Sequence, residues 1–122
     1  MKVIIAGTRD FSDYNLLTKV CDFMLSKAKS VEIISGGARG ADSLGEKYAQ
    51  DRGYECKRFP ADWEKYGKAA GYKRNSEMAN VADSLIAFWD GKSRGTQHMI
   101  NLAKKKGLQI KIVNYNVQEE RS

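Results

Sequence analysis

The chain has 122 residues, 42% of them hydrophobic and 30% charged, with a formal net charge of +6. That size suits one domain with a layered core and leaves no room for a separate catalytic module, and the composition excludes a disordered or fibrous chain. No apolar run approaches the ~20 residues of a membrane-spanning helix, and Met1-Lys2 runs straight into a strand pattern, so a cytoplasmic protein with no membrane partner is expected.

Lys2 to Ala6 reads as a first strand. Ser12 or Asp13 can cap a helix whose apolar residues Leu17, Val20, Cys21, Met24 and Ala28 recur at helical spacing. Val31 to Ile34 is a second strand. Gly40 to Asp51 follows as a helix with Ala41, Leu44 and Tyr48 on one face, ended by Gly53, and Glu55 to Phe59 is a third strand closed by Pro60. Ala61 to Ala70 is irregular, a loop or one helical turn over the sheet edge. A helix from about Tyr72 to Val81, a strand Leu85 to Trp89, a helix Thr96 to Lys106 ended by Gly107 and a strand Gln109 to Val113 complete the alternation. The spacing predicts one domain over residues 1–113 and a frayed tail over 114–122.

The continuous apolar runs Val3-Ile4-Ile5-Ala6 and Leu85 to Trp89 belong in the centre of a parallel sheet, where both faces are buried. Glu55 to Phe59 and Ile110 to Val113 carry charges and belong at its edges. With right-handed crossovers this gives an α/β fold whose five-stranded, mainly parallel sheet has the order 3-2-1-4-5. Its switch point falls between the first and fourth strands.

Cys21 and Cys56 lack the spacing of a metal site or a redox pair and read as buried thiols. With His98 the only histidine, no metal and no cofactor is expected.

Three strands end in glycine-bearing polar turns that open helices: Ala6-Gly7-Thr8-Arg9, Ser35-Gly36-Gly37-Ala38-Arg39-Gly40 and Gly91-Lys92-Ser93-Arg94-Gly95-Thr96. Such turns present backbone N–H groups, hydroxyls and arginines to an anion, and the switch point collects all three in one crevice. Gly36, Gly37 and Gly40 permit positive φ and close backbone approach, although the segment is neither a P-loop nor GxGxxG. Arg9, Arg39 and Arg94 can fork onto phosphate or serve only solubility. Asp42 suits the first turn of a helix and can also accept from ribose hydroxyls. Thr8, Ser35, Ser93 and Thr96 can donate to phosphate or cap helices. Trp89 first, then Trp63, with Tyr66 and Tyr72 behind them, can stack on a base or belong to the core. Lys104, Lys105 and Lys106 close a helix, where cations suit its dipole.

Taken together, Val3 to Phe11, Ser35 to Asp42, Pro60 to Trp63 and Ala70 to Met78 resemble the SLOG superfamily of Rossmann-like proteins, and within it the small YspA-type, YpsA-related branch. The resemblance covers residues 2 to about 113. More distantly the chain is similar to the LOG phosphoribohydrolases and to DprA. The resemblance implies a Rossmann-like three-layer fold that binds a nucleotide or nucleotide-derived phosphorylated small molecule as a sensor or sequestering domain. A homodimer would be in keeping with it.

LOG-type enzymes bind phosphate with PGGxGTxxE and use an arginine from an RKxxM-like helix to assist N-glycosidic cleavage. Here Gly95 and Thr96 match the first motif, but its glutamate position is Met99; Arg74 matches the arginine. Cleavage needs a carboxylate to position or activate water, which leaves Glu77 and Asp90 as substitutes and places hydrolysis below binding. Two alternatives therefore stand beside nucleotide binding: an N-glycosidic hydrolase using Arg74 with Glu77 or Asp90, and a DNA- or RNA-binding protein, motivated by the charge and the likeness to DprA.

Overall fold

The two strands with the longest buried runs on both faces hold the middle of the sheet: β1 (Lys2–Gly7) and β4 (Ser84–Trp89). The computed structural model, which describes residues 1–115, orders its five strands β3-β2-β1-β4-β5, every neighbouring pair parallel. β2 (Glu32–Ser35) flanks β1. The edges are β3 (Glu55–Arg58), exposed throughout, and β5 (Gln109–Asn114). This is the expected Rossmann-like α/β sheet.

Alternation along the central strands divides the core into two layers. Val3, Ile5, Ile86 and Phe88 face α1 (Tyr14–Leu25) and α2 (Ala41–Arg52). Ile4, Ala6, Leu85 and Ala87 face α4 (Ala70–Val81) and α5 (Arg94–Lys106). Full burial of an aliphatic side chain of this kind contributes about 1.5–3 kcal/mol, so these alternating sets lock the strand register. A slip of one residue would exchange the two faces.

Local signals set the helix ends. The Asp13 carboxylate caps α1 by accepting from the Leu16 N–H at 3.0 Å. Its buried stripe is Leu17, Cys21 and Leu25, not Met24, and Ala28 falls beyond the helix. Gly40 stands outside α2 as its N-cap residue, and Gly53, with φ of +76°, closes the other end. The irregular stretch resolves into a single turn, α3 (Trp63–Tyr66), and a 3-10 turn (Gly67–Ala69) that runs directly into α4, which therefore starts two residues before Tyr72.

One expectation is corrected. Cys21 is buried, but Cys56 is exposed, because β3 is an edge strand with all four of its residues exposed. Of the expected tail, Asn114 pairs with Trp89 at the end of β5, and the Tyr115 ring lies 4.7 Å from that of Phe11. Residues 116–122 lie outside the described residues. Among the described residues no helix is long and apolar enough to cross a membrane, and no group of His, Cys, Asp and Glu is placed to hold a metal ion.

Candidate functional site

Register places Gly7 beside Phe88, so the turns after β1 and β4 leave the sheet together, and Thr8 ties them to α2. The Thr8 N–H donates to the Phe88 carbonyl at 3.0 Å, and its own carbonyl accepts from Phe11 at 3.1 Å and Ala41 at 3.3 Å. Its hydroxyl oxygen accepts from the Asp90 N–H at 3.1 Å. One buried residue thus fastens three segments at the switch point.

The closeness explains two glycines. A Cβ on Gly7 would stand 2.1 Å from the Phe88 carbonyl oxygen. One on Gly40, whose φ is +74°, would stand 2.4 Å from the carbonyl oxygens of both Thr8 and Arg9. Only a residue without a side chain fits either place.

The glycine loop after β2 is held from beneath. Buried Ser35 accepts from the Gly37 N–H at 3.0 Å and donates to Glu46 Oε2 at 2.6 Å; the same carboxylate oxygen accepts from Arg58 Nε at 3.0 Å. Asp42 Oδ2 accepts from the Ala38 N–H at 3.2 Å. From α4, Arg74 donates to the Gly36 carbonyl and, through Nε, to Asn75 Oδ1 at 3.1 Å. Asn75 Nδ2 in turn faces the Gly95 carbonyl at 3.4 Å and His98 Nδ1 at 3.1 Å on α5.

Asp42 is 6% exposed, and burial pushes its carboxyl up to about 6, against the pull of the Ala38 N–H and the Arg74 and Arg9 charges. At Asp90 burial also favours the neutral form, but it is outweighed by hydrogen bonds from the Lys92 and Ser93 N–H groups, at 2.8 and 2.9 Å, and from Thr8. That carboxyl stays below the usual range. Ser93 caps α5 by accepting from the Thr96 N–H at 3.4 Å, and its carbonyl accepts from the Trp89 indole at 3.1 Å.

Above these turns lies a cleft of about 440 Å³. Gly7, Thr8, Arg9, Asp42, Arg74, Ser93, Gly95 and Thr96 line it, with Trp63 and Tyr72 on its rim side. A neighbouring compartment of about 290 Å³ is lined by Gly36, Gly37 and Arg39, and Arg9, Arg74 and Trp63 border both. The expected single crevice is therefore two adjoining spaces. Ser35, Gly40, Trp89, Arg94 and Asp90 line neither: Ser35 and Asp90 are committed to turns, Gly40 packs against the turn after β1, and Arg94 is exposed on α5. Glu77 is exposed in an outer groove beside Lys65 and Lys73.

Sequence reasoning missed Asn75, Glu46 and Lys68. Asn75 shares the buried face of α4 with Met78 and Ala79, so a polar residue on an apolar stripe was the available signal. Glu46 lies one turn beyond Asp42 on the same face of α2. Lys68 had no signal, since only the 3-10 turn brings it to the cleft.

With this geometry in place, comparison with known proteins finds a match between residues 1–66 and the model of the YspA, cpYpsA-related SLOG family. The chain is 34% identical over 121 residues to the Gene 61 protein of Mycobacterium phage D29, covering 93% of this chain and 95% of that protein. Among solved structures, DNA processing protein A (DprA) of Streptococcus pneumoniae superposes with a TM-score of 0.76 at 18% identity, over 95% of this chain. The match spans 51% of the DprA chain, about half its length. A predicted subunit of tRNA methyltransferase from Methanocaldococcus jannaschii gives a TM-score of 0.48 at 16% identity, over 99% of this chain and 72% of that one.

Proposed function

The chain belongs to the YspA, cpYpsA-related SLOG family, and we propose that it binds a nucleotide or nucleotide-derived phosphorylated small molecule, as a sensor or sequestering domain. The observation that carries this reading is the cleft of about 440 Å³ at the carboxyl ends of β1 and β4, bordered by Arg9 and Arg74. Ligands of open α/β sheets bind at the switch point, and ligand clefts run from ~300 to ~1,000 Å³.

The chemistry of the walls supports the same reading. Guanidinium groups suit phosphate, the carboxyl of Asp42 suits ribose hydroxyls, and Trp63 and Tyr72 offer ring faces. Arg9 makes no hydrogen bond or ion pair with other described residues, so its guanidinium N–H donors are open to a ligand even though its charge acts on Asp42.

The same placement weighs against hydrolysis by the expected carboxylates. Glu77 lies outside the cleft and Asp90 closes a turn, which leaves Asp42 as the acidic residue lining it. The likeness to DprA is one of fold, and a role on DNA would rest on that protein's description alone.

Thermal denaturation with a panel of nucleosides, mononucleotides and dinucleotides tests the proposal. A ligand at about 100 times its dissociation constant adds ~2.7 kcal/mol of stability, a shift that Arg9→Ala should abolish while the unliganded protein stays folded. No shift with any nucleotide would remove the proposal.

A further inference from the structure

The two spaces differ in whether an acidic side chain lines them. None of the nine residues lining the smaller compartment is acidic, and three are Arg9, Arg39 and Arg74; the Gly37 and Ala38 N–H groups of the loop between them are already donated to Ser35 and Asp42, so the guanidinium groups are what this space offers an anion. The larger cleft is lined by three cationic side chains as well, Arg9, Lys68 and Arg74, but it has Asp42 in its wall and the amide of Asn75 beside it. Arg39 is exposed and, like Arg9, has no hydrogen bond or ion pair among the described residues. Arg74 and Arg9 both act on the Asp42 carboxyl, so Arg39 is the guanidinium of this compartment with no carboxylate set against it.

Like charges gathered without a counter-ion repel one another, and an anion that bridges them relieves the repulsion and gains paired hydrogen bonds. From this asymmetry we propose that the arginine compartment is a separate subsite for a phosphate anhydride, and that the preferred ligand is a nucleoside carrying at least two linked phosphates. The nucleoside occupies the larger cleft against Asn75, Trp63 and Tyr72. Arg9 and Arg74, shared by both spaces, hold the α-phosphate at the junction, and Arg39 holds the group beyond it. The assignment rests on the nucleotide reading above, and it sends the phosphates toward the glycine loop, away from the first turn of α5.

Two features favour this division over one nonspecific cationic surface. Arg9, Arg74 and Trp63 line both spaces, so the two lie side by side. Finally, the loop is braced by Ser35, Asp42 and Arg74 before any ligand arrives, which lowers the ordering cost of binding.

The test is calorimetric titration of the full chain with a nucleoside, its monophosphate, its diphosphate and inorganic pyrophosphate. The diphosphate should bind at least about tenfold more tightly than the monophosphate, each tenfold being ~1.4 kcal/mol, and pyrophosphate should compete with it. Arg39→Ala should shrink the diphosphate-to-monophosphate ratio toward one. Lys68→Ala, in the larger cleft alone, should keep the ratio at its wild-type value. Equal affinity for mono- and diphosphate, or a ratio that falls as far with Lys68→Ala as with Arg39→Ala, overturns the subsite while leaving nucleotide binding intact. Failure of every nucleotide to bind overturns both.

Discussion

Arg74 donates a guanidinium N–H to the carbonyl of Gly36, a residue 38 positions earlier in the chain. This bond joins α4, on one face of the sheet, to the loop that opens α2 on the other, and it passes between the two compartments. Arg74 is therefore both a wall of the site and a brace for its loop.

Arg74→Ala should weaken nucleotide binding by more than tenfold and also destabilise the free protein. A partly buried carbonyl and the Asn75 amide would lose their donor, at a cost of about 1–3 kcal/mol. Arg74→Lys restores charge without the fork and should recover stability better than affinity. Paired urea denaturation and ligand titration check both variants.

The raised carboxyl of Asp42 predicts a sign for pH dependence. Its folded value lies near 6 against an ordinary 3.8, so its contribution to stability is complete below 3.8 and is lost as pH rises through about 6. Over that interval the loss is about 3 kcal/mol. Asp42→Asn keeps an acceptor for the Ala38 N–H and should be more stable than the parent at pH 7.5 by up to that amount, with the gap closing near pH 4. A gap of constant size across this range would refute the assignment.

His98 should behave in the opposite sense. Burial lowers its value below the ordinary 6.5, and protonation at Nδ1 would set an N–H against the Asn75 amide donor 3.1 Å away. Its contribution is present above 6.5 and is lost as pH falls through the folded value. Because His98 is the only histidine, its imidazole signals in a proton NMR titration report the midpoint directly. A midpoint at or above 6.5 would contradict the geometry.

Ser35→Ala and Arg58→Ala remove the two donors to Glu46 and should differ in cost. Ser35 is fully buried and also accepts from Gly37, so its loss should cost about 1–3 kcal/mol. The Arg58 side chain is 60% exposed, so loss of its ion pair should cost at most about 1 kcal/mol. Chemical denaturation curves with matched slopes provide the comparison.

Two glycines with nearly the same φ should respond differently to alanine. Gly53, at +76°, has no atom within 4 Å of a built Cβ, so Gly53→Ala should cost only the strain of the backbone, about 1 kcal/mol. Gly40, at +74°, meets two carbonyl oxygens at 2.4 Å, so Gly40→Ala should cost several times more or prevent folding. Thermal midpoints of the two variants decide the matter.

Much of the fold was legible because its causes are local or periodic. Apolar runs at Val3 to Ala6 and Leu85 to Trp89 identify doubly buried strands, charges identify edges, and Gly53 and Gly107 identify helix ends. Once crossovers are right-handed, strand order and switch point follow, and the three glycine turns must meet there. Side-chain commitments were not legible. Trp89 stands at a strand end beside the switch, yet its indole donates to Ser93; Ser35 lies in the glycine loop, yet its hydroxyl donates to Glu46.

The sequence by itself determined which segments form the sheet, in what order, and at which edge the glycine turns gather, since these follow from hydrophobic period, turn chemistry and chain handedness. Only the tertiary structure decided that the crevice has two compartments, that Asn75 joins the site and Glu77 does not, and that Cys56 is exposed. The reason is physical: a side chain's direction depends on neighbours remote in the chain, such as Arg74 on Gly36, and no local pattern encodes those contacts.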